Sequence, residues 1–175
     1  EGQLAAAVLT LVMFFGLLRP DEAFNLTWGS ILVLTQAKGR IRAILAITNA
    51  KTRARFAQRQ TALLEDDTLA ELLRWFLSRL HPQDLELKIW DRGGEKAYRL
   101  RWDRAIYVLG LQWLDLTPGG LRGGGACYYY GLDLNLPAVR RKGRWLQDAT
   151  LEHYLQEGFA LQALSHESPS ISNTT

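Results

Sequence analysis

Leu4–Leu18 (LAAAVLTLVMFFGLL) is the stretch that most restricts how this chain can fold. It is apolar almost throughout, yet a membrane-spanning helix needs roughly 20 such residues. The run leads directly into Arg19, Asp21 and Glu22, and no basic segment precedes it as in a signal peptide. It therefore predicts a buried core helix that the rest of the chain must surround, and argues against a membrane-anchored helical protein. Pro20 disfavours helical geometry at Arg19 and favours a new helix starting at its own position, with Asp21 and Glu22 in the first turn and the helix continuing over Ala23–Trp28. Arg19 is thus expected at a break between two helices, where its side chain can be aimed. The chain opens inside the first helix, which reads as a piece of a longer protein or a truncated copy.

Composition fits a core of that kind. The 175 residues are 47% hydrophobic and 22% charged, which suits one ordinary globular domain. The formal net charge of +3 is mildly basic and points weakly to a nucleic-acid partner; local distribution matters more. The single cysteine, Cys127, excludes an internal disulfide and leaves too little thiol for a zinc site. It reads as a small core residue. An intracellular setting is consistent with this.

Past the second helix the pattern changes. Ile31–Gln36, Ile41–Thr48 and Arg55–Leu64 are β-rich and predict three short antiparallel strands. Between Lys38 and Arg59 stand Lys38, Arg40, Arg42, Lys51, Arg53, Arg55 and Arg59, with no acid among them. This is either a surface for an anionic partner or a solvated edge protected by basic residues. Asp66 or Asp67 caps a helix over Thr68–Leu80, and Leu85–Gly94 reads as loop or short extended chain. Lys96–Leu111 predicts another helix with Leu100, Ile106, Tyr107 and Leu109 facing inward. Thr117-Pro118-Gly119-Gly120 breaks the chain before Leu121-Arg122, and Gly123-Gly124-Gly125 follows as either a phosphate cradle or a site of close packing. Of Tyr128, Tyr129 and Tyr130, some are expected in the core and some on the surface. Pro137–Arg144 reads as a short helix ending near Gly143. Asp148 or Thr150 caps the next, in which Leu151, Tyr154 and Leu155 share a face, continued by Phe159, Leu161 and Leu164. Ser165–Thr175 reads as a disordered tail. The resulting class is α+β, mostly helical, with a small three-stranded antiparallel sheet and one domain over 1–164.

Thr117–Gln156 carries residue types suited to a phosphodiester: Arg122, the basic run Arg140, Arg141, Lys142 and Arg144, then Trp145 and Tyr154. Guanidinium forks and an indole N–H can hold a phosphate, and a phenol oxygen can attack it. Taken with Gly16-Leu17-Leu18-Arg19-Pro20-Asp21-Glu22 and Ala50-Lys51-Thr52, these residues stand in an order and at intervals that resemble the catalytic domain of tyrosine recombinases, the phage-integrase family. The resemblance covers about Leu4 to Gln156. The first segment resembles the family's G-L-R-x-x-E box with one extra leucine. Gly119-Gly120-Leu121-Arg122 resembles its H-x-L-R box, and Gly143-Arg144-Trp145 its L-G-H box with tryptophan for histidine. The LRGGGA and GRW wording is similar to recombinases of eukaryotic mobile elements.

The resemblance implies roles. Arg19 and Arg122 would grip the scissile phosphate and stabilise its growing charge, with Trp145 donating to the same group. Lys51 would protonate the 5′ leaving oxygen, and Tyr154 would attack to give a 3′-phosphotyrosyl link. Glu22 would orient an arginine. Lys38, Arg40, Arg53, Arg55, Arg140, Arg141, Lys142 and Arg144 would track the phosphates of double-stranded DNA. No cofactor or metal is implied. The family works as tetramers on paired DNA sites, often exchanging a C-terminal helix, for which Phe159–Leu164 is the candidate; its N-terminal DNA-clamping domain is absent from this chain. The implied location is with DNA inside the cell, nuclear in a eukaryote and cytoplasmic in a bacterium or phage. One departure stands out: Gly119 replaces the usual histidine or lysine, and losing such a group costs on the order of 10² to 10⁴ in rate. A catalytically impaired remnant that only binds DNA is therefore one rival reading, and a type IB topoisomerase is another.

Overall fold

The computed structural model describes residues 2–47, 60–132 and 135–166. Lys51, Arg53 and Arg55, the start of the expected third strand and residues 167–175 lie outside the described residues. Helix α1 (Gly2–Phe15) is the hub, touching α2 (Pro20–Phe24), α3 (Asp67–Leu77), α4 (Gly94–Val108) and α5 (Gly120–Gly131). Its Val8, Leu9, Val12 and Met13 are wholly buried. Burying each such side chain contributes about 2 kcal/mol relative to leaving it in water. No helix among the described residues is long and apolar enough to cross a membrane. The helix stops at Phe15 rather than at Leu18, because Leu17 adopts a left-handed φ of 49°. Pro20 starts α2 as expected, but that helix ends at Phe24, and Trp28 begins a separate 3-10 turn.

Strands β1 (Ile31–Thr35), β2 (Ile41–Ile47) and β3 (Gln60–Leu64) form one antiparallel sheet in that order. Val33 faces Ala43 across the first ladder, and Leu45 faces Ala62 across the second. The alternation in β2 puts Ile41, Ala43, Leu45 and Ile47 in the core beside α3. Asp66 is the cap of α3, accepting a 2.7 Å bond from the Leu69 N–H. Asp67 reaches across to accept from the Ile41 N–H at 3.1 Å, which ties the helix to the sheet.

Helix α4 corrects one expectation. Leu100, Tyr107 and Leu109 are 66–71% exposed, and the buried residue is Tyr98. Its hydroxyl shares a 2.6 Å bond with Thr10, its ring meets Phe24 and Trp90 edge-on, and the Trp102 N–H donates to the Leu116 carbonyl. Aromatic rings with a polar tip anchor this helix, so counting leucines misplaced its inner face.

A second, smaller core lies between α5, α6 (Leu136–Gly143) and α7 (Asp148–His166), built on Leu17, Ala126, Tyr129, Val139, Trp145, Leu151 and Leu155. Within α5, Gly123 and Gly125 serve close packing. A β-carbon on Gly125 would lie 2.2 Å from the Phe14 carbonyl oxygen and 2.6 Å from a Leu17 methyl. Tyr129 is buried and donates to the Phe15 carbonyl, whereas Tyr128 and Tyr130 are more than 40% exposed. Asn135 caps α6 through the Ala138 N–H. Helix α7 continues through His166, past the expected boundary at 164. Phe159 and Leu161 remain 43% and 37% exposed, so these two members of the distal apolar stripe are not buried in this chain.

Candidate active site

Arg122 sits in the first turn of α5 with its side chain 3% exposed. It is held by the C-terminal ends of two helices: Nη1 donates to the Leu17 carbonyl at 2.8 Å, and Nη2 donates to the Gly143 carbonyl. Both carbonyls stand where a helix has run out of N–H partners and carries partial negative charge, which favours a cation. The left-handed turn at Leu17 presents the first of these groups. The face of the guanidinium lies under the Trp145 ring, 4.4 Å from its centroid. Trp145 reaches that position by lying against Gly143, where a β-carbon would fall 1.7 Å from the indole.

Glu22 is the second centre. It is 2% exposed and lies among three guanidiniums. Oε1 accepts from Arg19 Nη1 at 3.1 Å; Oε2 accepts the Arg19 backbone N–H at 3.0 Å and Arg144 Nη2 at 2.8 Å. Arg122 Nη1 stands further off, 3.7 Å from Oε2. Arg19 thus caps α2 with its backbone while its side chain stays 28% exposed at the break expected for it. Burial, and then the charge of Arg19, pull the Arg122 pKa down to about 9, with Glu22 opposing; the group stays charged at neutral pH. Burial likewise lowers the pKa of Arg144 against the pull of Glu22. The Nε–H groups of both Arg122 and Arg144 are buried without an acceptor among the described residues. Such a cluster has donors and positive charge in excess and suits an anion.

Tyr154, half-buried on α7, faces this cluster. Its ring centroid is 5.7 Å from that of Trp145, and its Cδ1 would lie 3.0 Å from a β-carbon on Gly123. Its hydroxyl has no hydrogen-bond partner among the described residues. Gly119 and Tyr154 line the same groove of about 1150 Å³ between α5 and α7. Around Gly119 the space is open: among the described residues an added β-carbon would meet only the Thr117 hydroxyl, at 3.7 Å. His153 points away, 68% exposed and paired with Glu157.

The fold therefore brings together Arg19, Glu22, Arg122, Trp145 and Tyr154, drawn from four segments of the chain. The basic run of α6 divides. Arg140 and Arg141 line a cavity of about 360 Å³ with Thr61 and Trp145, and Arg140 also pairs with Asp148 at 3.0 Å. Lys142 turns onto the sheet, bonding Glu65 at 2.7 Å and the Leu63 carbonyl at 3.1 Å beneath the Tyr129 ring. Arg144 turns inward, its side chain 10% exposed, because its left-handed φ of 59° ends α6 and directs it at Glu22. Sequence reasoning grouped Arg144 with the surface cations. The signal it passed over is a non-glycine residue directly after a helix-ending glycine. Lys38 and Arg40 are exposed at the β1–β2 turn. Among the described residues no group of three or more His, Cys, Asp or Glu could hold a metal ion.

No protein-family model and no curated protein matches the sequence. Among solved structures the chain is similar to the XerH site-specific recombinase, crystallised in a post-cleavage complex with its palindromic difH substrate. The TM-score is 0.62 at 20% identity, over 99% of this chain and 48% of that one. This chain thus spans about half the length of that protein. Mostly helical with a small antiparallel sheet, its fold is like that of a tyrosine-recombinase catalytic domain.

Proposed function

We propose that this chain is the catalytic part of a DNA strand-cleaving and rejoining enzyme of the tyrosine recombinase type, acting on double-stranded DNA for site-specific recombination or integration. The observation that carries the reading is the buried surplus of arginine, with Nε–H donors that meet no acceptor among the described residues, beside the adjoining rings of Trp145 and Tyr154. Arg122 and Arg19 bind the non-bridging oxygens of the scissile phosphate and stabilise the charge that builds in the pentacoordinate state. Trp145 adds its indole N–H and packs beside the nucleophile. The Tyr154 oxygen, losing its proton to solvent water, forms a bond to phosphorus as the bond to the 5′ oxygen breaks; Lys51 gives that oxygen a proton. The reverse attack by a 5′ hydroxyl reseals the strand without ATP, because the phosphotyrosyl link keeps the bond energy. Assembly is as a tetramer on paired sites. The test is a DNA duplex nicked beside the scissile phosphate, so that cleavage traps the protein. A covalent adduct with the chain, abolished in Tyr154→Phe, is expected; no adduct from a version that binds the DNA would overturn the assignment.

One observation favours a second reading. The open space at Gly119 is left unfilled by any other described side chain, so the donor or base usual there has no evident substitute. A remnant that binds DNA but no longer cleaves it would show retention on DNA and no adduct.

A further inference from the structure

Three guanidiniums around one buried carboxylate leave a surplus of two positive charges, and the three do not share that carboxylate equally. Arg144 holds Glu22 Oε2 at 2.8 Å, whereas Arg122 stands 3.7 Å from the same oxygen. Arg144 is anchored for this, with Nη1 and Nη2 within 3.5 Å of the Gly16 and Leu17 carbonyls. If Arg144 were removed, Glu22 Oε2 would lose its shortest guanidinium contact, and Arg122 Nη1 would be the nearest replacement. A full Arg122–Glu22 pair would then neutralise the group that faces Trp145 and Tyr154. We propose that Arg144 is a positioning residue: by occupying Oε2 of Glu22 it keeps that carboxylate from closing on Arg122, and so keeps Arg122 available to a phosphodiester anion. This rests on the reading of the cluster as a phosphate site, but its readout is independent of strand cleavage.

The test uses dimethyl phosphate, a phosphodiester monoanion, titrated into the 175-residue chain with nitrogen-15 in its arginines, following the guanidinium Nε–H resonances. Arg144→Met is expected to weaken binding about tenfold, the scale of one charge-assisted hydrogen bond. Adding Glu22→Gln to Arg144→Met restores the surplus of two charges and frees Arg122, so most of the lost affinity should return. A merely structural arginine would move the melting temperature, which Glu22→Gln can also rescue, but would leave the dimethyl phosphate affinity of a folded variant unchanged. Circular dichroism and thermal melting follow folding in each variant; if Arg144→Met does not fold, Arg144→Gln with and without Glu22→Gln makes the same comparison. A folded Arg144 variant that binds like the wild type, a double variant that recovers nothing, or a wild-type chain that does not bind dimethyl phosphate overturns the proposal. Absence of a Tyr154 adduct on nicked DNA would instead remove the cleavage reading and leave the Arg144–Glu22 coupling standing.

Discussion

At the scale of single residues, the site depends on how Arg122 is held. Two carbonyls, one in the turn after α1 and one at the end of α6, accept from its two Nη atoms, and a lysine ammonium cannot span them in the same plane. Arg122→Lys should therefore lower adduct formation on nicked DNA by about 10²-fold or more, the loss typical of a transition-state donor. It should also lower the melting temperature by a few degrees, about 1–2 kcal/mol, since the two carbonyls lose their partners. Gly119 makes the opposite prediction. A β-carbon there meets only the Thr117 hydroxyl at 3.7 Å, so a histidine can be accommodated. Gly119→His should raise a measurable wild-type cleavage rate by about 10²-fold if a proton donor or base is what the site lacks. An unchanged rate would mean that another group fills the role. Arg19, Arg122, Trp145 and Tyr154 were legible in the sequence because order and interval survive without structure. The inward turn of Arg144 was not, since it follows from one left-handed backbone angle and the place of Glu22, 122 positions away in the chain.

At the scale of elements, close contact between α1 and α5 sets the distance between the two arginine segments. Gly125→Ala would push a methyl group against the Phe14 carbonyl, and should cost about 1–3 kcal/mol by urea unfolding. Gly131→Ala, in the same helix but with no described atom within 4 Å of its β-carbon, should leave the midpoint close to wild type. A second junction joins α6 to β3. Burial alone would raise the Glu65 pKa, but Lys142 and Arg42 outweigh it and hold the carboxyl below its ordinary 4.5. A lowered folded pKa means that this contribution is present above the unfolded value and is lost as pH falls through the folded one. Glu65→Gln should therefore make stability less dependent on pH below about 4.5, seen as a flatter plot of melting temperature against pH. The sequence disclosed α1, α6 and the break at Pro20, left the cap of α3 open between Asp66 and Asp67, and placed no helix over the glycine run that α5 contains. It did not disclose the partner of Lys142, because the contact joins residues 77 positions apart.

At the scale of the whole molecule, the basic character is unevenly distributed. Lys38, Arg40 and Arg141 lie at the surface, whereas Lys142 and Arg144 are committed to internal partners. DNA binding should weaken steeply with salt, and Arg141→Gln should reduce the slope of log affinity against log salt by about 0.9 if that residue meets one phosphate. Lys142→Gln should leave the slope nearly unchanged, which a salt titration by fluorescence anisotropy can separate. By itself the sequence determined the mostly helical α+β class, the buried first helix, the three short strands and the order of the arginine, tryptophan and tyrosine positions. Those features are local: hydrophobic periodicity, proline and glycine breaks and capping side chains act within a few residues. Tertiary structure alone decided which cations face solvent, that aromatic rings rather than leucines anchor α4, and that Glu22 serves as a common partner for arginines from three segments. Burial and charge pairing depend on what packs opposite, and here the opposite side of each contact comes from a distant part of the chain. Arg144 shows the difference most plainly: its neighbours in sequence make it one more basic residue, and its neighbours in space make it the partner of a buried glutamate.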